Sequence, residues 1–599
     1  MNKADLQVFI FRPLTPDELN ELNDAKSTQR IVAIDPIFTE GIEVETNVLC
    51  SQELEPHESF ARESIQNLGH IKLKSGSSLI DQTAFEGVVL WHPVRFGVYH
   101  KFKQLLIQQS VTEAFNQAFG GSVRIYTDQP LLRKLCSSAE IRFVRPSIRK
   151  SKTISPLKFG IYFLIRSFVG FVKNGIPAKG KRIVLNTVSP LSPLVSNDGI
   201  EITRGIPHIH YFLKRVQSND AFALVSSMKF IGVKDGLFPL WETLRSSYPT
   251  SRVYHFESFV FTSLLSLNAV QKLYTYWRDL GRTELAGFSP VNQVLIEDFR
   301  KRRLQFVYAA VLTLGGFRLI KKMQPKCIGG DNEHNFVKRP IFGAAKKLHI
   351  PTFAVQHGDI HRNNFNYRFT QDDPIDQLLP DVTAVWGHQT KESLLQSSHY
   401  NADCIQIVGQ VRTDVIPQLK KQDLNNRSDR TFTVLFASQP FFDPSLRKRM
   451  YQDFCIAAKA LPNIAFIHKP HPSETDWSFF EEIDIESECK VRRSDQDLYM
   501  LLAQSDVVVT GFSTVGVEAT YFHRDLIVLD YQKEDLAGYV KNMVALQATD
   551  GNQLTGFIQR LSEGEKLLDP TIRQKYIEQR VHAIDGKTSE RLQTLIESL

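Results

Sequence analysis

From residue 327 onward the chain alternates short apolar runs with longer stretches of helical spacing. The runs at 327–330, 352–355, 382–386, 405–408, 433–437, 464–467, 507–510 and 526–529 read as buried strands. Between them, 337–348, 391–396, 447–461, 495–503 and 515–521 carry the helical period, and the tail from 553 is mostly helical. Continuous apolar strands separated by helices imply parallel sheets covered on both faces. The polar, charged stretch 420–430 reads as a linker or surface loop, so two such domains are expected to face each other across a cleft. Earlier, strand-like runs fall at 7–11, 30–34, 87–91 and 182–188, the last followed by a loop rich in Ser, Pro and Gly. Residues 289–323 form one long helical region, with basic 300–303 ahead of an apolar stretch. No repeat and no low-complexity segment interrupts this plan.

Length and composition set bounds on it. A chain of 599 residues exceeds a single core and is expected to form two or three domains. An apolar fraction of 42% and a charged fraction of 23% are ordinary for a globular protein. The six cysteines are scattered without a CxxC pair, which argues against a zinc ribbon or disulfide framework and fits a reducing cytoplasm. The start of the chain carries mixed charge and no apolar signal core, and no run reads as the ~20 apolar residues that span a bilayer.

The net charge of +7, from 72 basic and 65 acidic residues, is mild but uneven. Residues 142–182 hold many Lys and Arg and almost no acid, around a strongly apolar core at 159–172. Such a segment suits an anionic membrane surface, or equally a core helix with a basic flank. No nucleic-acid motif accompanies the charge.

Two polar clusters stand at strand exits. Ile467-His468-Lys469-Pro470-His471-Pro472 closes one strand, and Thr510-Gly511-Phe512-Ser513-Thr514 through Glu518 closes another. Open parallel sheets bind ligands outside the carboxyl ends of their strands, so both belong to one crevice. Lys469 and one or both imidazoles suit a phosphate ester. Gly511, Ser513 and Thr514 precede a short helix whose N–H groups would face an anion. The bland reading of 469–472 is a rigid strand exit ended by proline. Ser438 and Gln439 follow the 433–437 strand and would reach the same ligand, unless they are ordinary turn residues.

A third cluster, Gly329-Gly330-Asp331-Asn332-Glu333-His334-Asn335, is the best seat for catalysis. Its glycines would let backbone approach a ligand. Asp331 or Glu333 would act as base or nucleophile, or His334 as base; the alternative is a helix N-cap. Gln356-His357-Gly358 leaves the next strand at the same edge, which makes His357 a candidate for donor or acceptor contact.

These motifs together resemble bacterial GT-B glycosyltransferases of capsule and lipopolysaccharide assembly. Related patterns occur in sialyl- and Kdo-transferases that use CMP-sugars and in CDP-glycerol glycerophosphotransferases. The Gln356-His357-Gly358 segment, the Gly409-Gln410-Val411-Arg412-Thr413-Asp414 stretch and the loop at 435–440 carry the likeness, which extends over 325–531. The resemblance implies an α/β fold with two Rossmann-like domains across a cleft: 181–420 for the acceptor and 431–599 for the donor. Residues 1–180 would be a separate module or an enlargement of the acceptor domain. It implies donor-phosphate contacts from His471, Ser513 and Thr514, and a ribose contact from Glu518, whose bland role is a surface carboxylate. It also implies transfer from a CMP- or CDP-linked donor to a lipid-linked or growing surface glycan, by a cytoplasmic enzyme at the inner face of the membrane. No cofactor and no metal are expected: no DxD pair is present, and Asp372-Asp373 before Pro374 reads as a turn. The rival readings are a nucleotide-sugar 2-epimerase on the same fold and a non-catalytic assembly scaffold.

Overall fold

The computed structural model describes residues 6–143, 182–227 and 253–599 apart from short gaps (13, 25–28, 35–41, 43–45, 50, 120–121, 130, 137–139, 188–191, 197–198, 200–201, 207, 217–218, 220, 288–289, 361–363, 427–430, 440–443, 472–477, 532, 534 and 536), together with 163–165, 167–168 and 171–172. Most of the basic segment 142–182 and Pro472 therefore lie outside the described residues.

Three parallel sheets follow one another along the chain. The first contains β1 (Leu6–Ile10), β2 (Gln29–Ala33) and β3 (Thr46–Val48). After a two-stranded ribbon of β4 (Ala84–Phe85) and β5 (Val88–Val89) it is completed by β6 (Ser122–Thr127) and β7 (Glu140–Phe143). The strand expected at 87–91 is thus only a ribbon arm, because Trp91 opens the 29-residue helix Trp91–Phe119. The second sheet starts with β8 (Ile183–Thr187). An antiparallel ribbon of β9 (Ser192–Val195) and β10 (Ile202–Gly205) comes next, then β11 (Phe222–Ser226), β12 (Val253–His255), β13 (Cys327–Asp331), β14 (Thr352–Val355), β15 (Val382–Val385) and β16 (Ile405–Ile407). The third sheet is β17 (Thr433–Ala437), β18 (Ala465–Lys469), β19 (Val491–Arg493), β20 (Val507–Thr510), β21 (Asp525–Leu529) and β22 (Leu546–Ala548).

The strand orders are β3-β2-β1-β6-β7, β12-β11-β8-β13-β14-β15-β16 and β19-β18-β17-β20-β21-β22. In each, the chain winds outward from its first strand, then returns to that strand's other side. This is the doubly wound Rossmann order, with a switch point beside the first strand. The crevices of the second and third sheets therefore open between β8 and β13 and between β17 and β20.

The first sheet is not a detached bead. Its core, with Phe9, Trp91, Phe102 and Ile125, runs on through Leu280, Phe299, Phe306 and Ala310 of the helices that precede β13. The region 289–323 is two helices, Pro290–Lys301 and Arg303–Met323, broken at Arg302. The second, 21 residues long with an 18-residue window of mean hydropathy 1.3, is long and apolar enough to cross a membrane, which the sequence reading missed. Half of that apolar window is buried. Gly315 lies against Val260 and Gly316 against Ala344 and Ile341, so glycines let neighbouring helices close on both sides.

The charged stretch expected as a linker at 420–430 instead begins inside the helix Ile416–Asn426. After β22 the tail returns to the second sheet. Helix Pro570–Val581 packs on His388–Ser397, and Thr588–Glu597 packs on His210–Val216. A methyl on Gly387 would strike the Gln579 carbonyl, so that crossing is tight. The result is two Rossmann-like domains facing across a cleft, with the first sheet sharing a core with the helices of the domain that holds the second.

Candidate active site

At the second sheet's switch point, Asp331 ends β13 in register with Val355 of β14. Gly329 and Gly330 do not make room for a ligand. A methyl on either would collide with the Phe353 or Asn186 carbonyl, so the glycines let β13 seat between its neighbours. Asn332 then takes a left-handed φ of 51°, turning the chain sharply out of the strand. The loop returns Lys338 to the strand end, where its Nζ donates to the Asp331 carboxylate at 2.8 Å and to the Asp331 carbonyl. Both side chains are fully buried. Burial alone would raise the Asp331 pKa, but the Lys338 charge outweighs it and holds it below its ordinary value. Asp331 is a strand residue and not a helix cap, since the following helix Arg339–Lys347 is preceded by Lys338.

His357 arrives from β14. Gln356 fixes that exit: its amide oxygen accepts from Trp386 N at 2.8 Å, and its amide nitrogen donates to Gly358 O at 2.9 Å. Facing His357 is His208, from the loop after β10, with ring centroids 5.7 Å apart and planes at 84°. Desolvation depresses both imidazoles, His208 to about 4, against the pull of Asp331 at His208 and of Glu333 and Asp331 at His357. Both are therefore neutral at pH 7 and able to accept a proton. The sequence reading missed His208, because its only signal was a Pro-His-Ile-His stretch outside any strand exit.

Glu333 and His334 are buried next to this pair. Glu333 is 1% exposed, and its Oε1 lies 3.3 Å from His334 Nε2, with no well-aligned hydrogen bond to either carboxylate oxygen. The His334 ring stands edge-on to Tyr367 at 4.3 Å, and burial lowers its pKa. The hydroxyls of Tyr367 and Tyr400 and the outer nitrogens of Arg339 are likewise buried and unpartnered. Buried polar groups left unpaired are rare in stable cores. Beyond them, Asp373 takes its place in a turn but also meets His70 and His92, each at 3.3 Å, and so joins the first sheet's helices to this region.

On the third sheet, β17 and β18 end side by side, so Ser438, Gln439 and Lys469 share one edge. Ser438 Oγ and His468 Nε2 are 3.1 Å apart. His468 is a core residue. It stacks on Phe436 and packs on Tyr451 and Phe480, and burial drives its pKa to about 3, so it carries no charge to an anion. Lys469 is half-buried and forms no ion pair with a described residue; burial lowers its pKa, with Asp497 and Asp495 opposing. Gln439 is 7% exposed, with its amide oxygen unpartnered. His471 is partly exposed on the same loop.

Gly511, Ser513 and Thr514 leave β20 on the other side of β17. Thr510 Oγ1 donates to Ala437 O at 3.0 Å, clamping the two strand ends. Ser513 Oγ accepts from Val515 N at 3.3 Å, its carbonyl accepts from Tyr539 Oη at 2.6 Å, and Thr514 is exposed. Glu518 is not a surface carboxylate: it is buried and meets Arg412 Nη1 at 3.1 Å.

The two edges face each other through two bridges. Arg412, just past β16, lies 4.1 Å over the Tyr499 ring and pairs with Glu518 behind β20. Asp359, just past β14, pairs with Arg580 at 3.3 Å, and the Arg580 guanidinium lies 5.1 Å from the Tyr576 ring on the returning tail. Asp414 accepts from Thr588 N and Ser589 N at 2.8 Å each, fixing the last helix. The 409–414 stretch therefore ties the two sides of the cleft together.

Away from the cleft, Cys455, Asp484 and Cys489 converge in a group able to hold a metal ion, a signal the scattered cysteines concealed. Arg493 already holds Asp484 at 2.6 Å, and Tyr451 donates to it at 2.6 Å.

The chain matches no family model, and no curated protein matches its sequence. Among solved structures, UDP-GlcNAc 2-epimerase from Neisseria meningitidis bound to UDP-GlcNAc aligns at 12% identity and TM-score 0.44, over 70% of this chain and 100% of that one. The wall teichoic acid polymerase TagF aligns at 12% identity and TM-score 0.39, over 74% and 98%. MurG from Acinetobacter baumannii aligns at 11% identity and TM-score 0.39, over 70% and 100%. At these values the likeness is one of general architecture, and the doubly wound, two-domain α/β fold of this chain stands on its own strand order.

Proposed function

We propose that the chain is a metal-independent GT-B glycosyltransferase, moving a sugar from a nucleotide-activated donor to a lipid-linked or growing surface glycan. The observation that carries this reading is the facing of two switch points with complementary chemistry. The third sheet offers a half-buried ammonium, Lys469, with Ser438, Gln439 and His471 beside it and the 511–514 loop across β17. This side would hold the donor phosphate and offset the charge that develops on it as the sugar departs. The second sheet offers two neutral imidazoles, His208 and His357, above the Asp331–Lys338 pair. This side would take the proton from the acceptor hydroxyl, with His357 as base. Asp331 would act through position and charge, since its carboxylate is already engaged. The resemblance of the 467–472 and 510–518 segments favours a cytidine nucleotide. Titration calorimetry with CMP, CDP, UDP and GDP tests the reading: a cytidine nucleotide should bind, and His471→Ala should weaken it.

One observation favours a second reading. Glu333 sits buried against His334 at 3.3 Å, beside the neutral imidazoles. That grouping also suits removal and return of a proton at a sugar carbon, as in a nucleotide-sugar 2-epimerase. Epimerised nucleotide sugar formed without any acceptor would select that reading.

A further inference from the structure

We infer that the outer face of helix Leu267–Gly281, with the turn before it and the described residues of 163–172, is a docking surface for an anionic lipid bilayer. The inner side of this helix buries Leu273, Tyr276 and Leu280 in the first sheet's core. Its outer side exposes Leu267, Val270, Tyr274 and Trp277, spaced three and four apart on one face. Leu267 is 89% exposed and Tyr274 61%. Helix Phe256–Leu264 adds Phe261, the turn after it adds Leu265, and the start of helix Arg303–Met323 adds Leu304. Ser167 Oγ donates to Glu257 O at 3.1 Å, which ties Ser167 to helix Phe256–Leu264, the helix just before Leu267–Gly281. Around Ser167 in the chain, Leu164, Phe168, Phe171 and Val172 are exposed as well. Isolated exposed apolar residues need no explanation, but a continuous face of them does.

Charge identifies the occupant. The carboxylates around this face are already answered: Asp279 by Arg278, Glu284 by Lys74, Glu297 by Lys301 and Lys134, and Asp298 by Arg302. Arg282 and Arg303 have no ion-pair partner among the described residues, and Arg303 lies 5.0 Å over the Trp277 ring. The sequence adds no acid between Glu140 and Asp198. An apolar, aromatic face with a basic rim fits acyl chains below anionic headgroups. A second copy docked face to face would set these arginines against each other.

The test uses the full chain and flotation with vesicles of phosphatidylcholine, alone or mixed with phosphatidylglycerol. The chain should float with the mixed vesicles and not with phosphatidylcholine alone, and added salt should weaken the association. The exposed double variant Leu267→Gln, Tyr274→Gln should lower partitioning at least tenfold, and Arg282→Gln, Arg303→Gln should lower it on mixed vesicles, each with an unchanged melting temperature. Failure to float with mixed vesicles, or flotation unchanged in the first variant, overturns the proposal. A concentration-dependent dimer abolished by that variant also overturns it and assigns the face to a second copy. Nucleotide titration is independent of this result, so a failure here leaves the proposed sugar transfer standing.

Discussion

Arg412 and Glu518 form an ion pair 3.1 Å long that spans the cleft, joining the exit of the second sheet's last strand to the helix behind β20. Asp497 stands 3.8 Å from the same guanidinium, and the Tyr499 ring lies beneath it. Glu518 is buried and Arg412 keeps 19% of its side-chain surface exposed, so both charges are largely shielded from water.

Removing one partner of a buried pair strands the other. Arg412→Met should cost about 3–5 kcal/mol in denaturant unfolding of the unit that carries the cleft. Burial already raises the Glu518 pKa against the pull of Arg412, so losing Arg412 should raise it further. The double variant Arg412→Met, Glu518→Gln should recover most of the lost stability.

His357→Ala should leave nucleotide affinity unchanged and lower kcat by about 100- to 10,000-fold, the range for loss of a general base. Substituting Gln356 should reduce kcat indirectly, by freeing the 356–358 turn from Trp386. Steady-state kinetics with calorimetry on the same samples separates the two effects.

Several histidines are held neutral by burial, among them His468 and His92 at about 3 and His208 at about 4. Their folded pKa values lie below the unfolded value of 6.5, so the unfolded chain binds more protons as pH falls. Stability from this source is complete above pH 6.5 and is lost as pH drops toward the folded values. For His468 alone the loss between pH 6.5 and 4 is about 3 kcal/mol. Melting curves of His468→Gln should accordingly be flatter than wild type across that window.

Asp414→Ala removes two acceptors from the start of helix Thr588–Glu597 and should cost about 1–2 kcal/mol. Limited proteolysis should then release the last helix before the rest of the chain is cut.

The third sheet was the most legible part of this chain. β17 and β20 lie where their apolar runs stand, since a strand buried on both faces has no competing period. Weaker strands escaped. Thr46–Val48 and Val491–Arg493 have three residues each, too few to show a pattern, and Phe222–Ser226 has no polar cluster at its end to mark it. The sequence placed Lys469, Ser438 and Gln439 at one edge correctly because strand ends are set locally. It could not foresee Lys338 closing on Asp331, which depends on the loop's path, His208 meeting His357, which depends on how the second sheet's loops fold, or Arg412 pairing with Glu518, which depends on how two sheets face one another. The same holds for His468: its neighbour Lys469 points to charge, but the alternation along β18 turns the imidazole into the aromatic core.

The central claim is that the third sheet's switch point holds a nucleotide phosphate through Lys469. Calorimetric titration of CMP and CDP into the wild-type chain and Lys469→Met measures this directly. A cytidine nucleotide should bind the wild type, and the variant should bind it about 10- to 100-fold more weakly, the loss of one hydrogen bond to a charged group, at unchanged melting temperature. Absence of nucleotide binding to the wild type, or equal affinity in the variant, would contradict it.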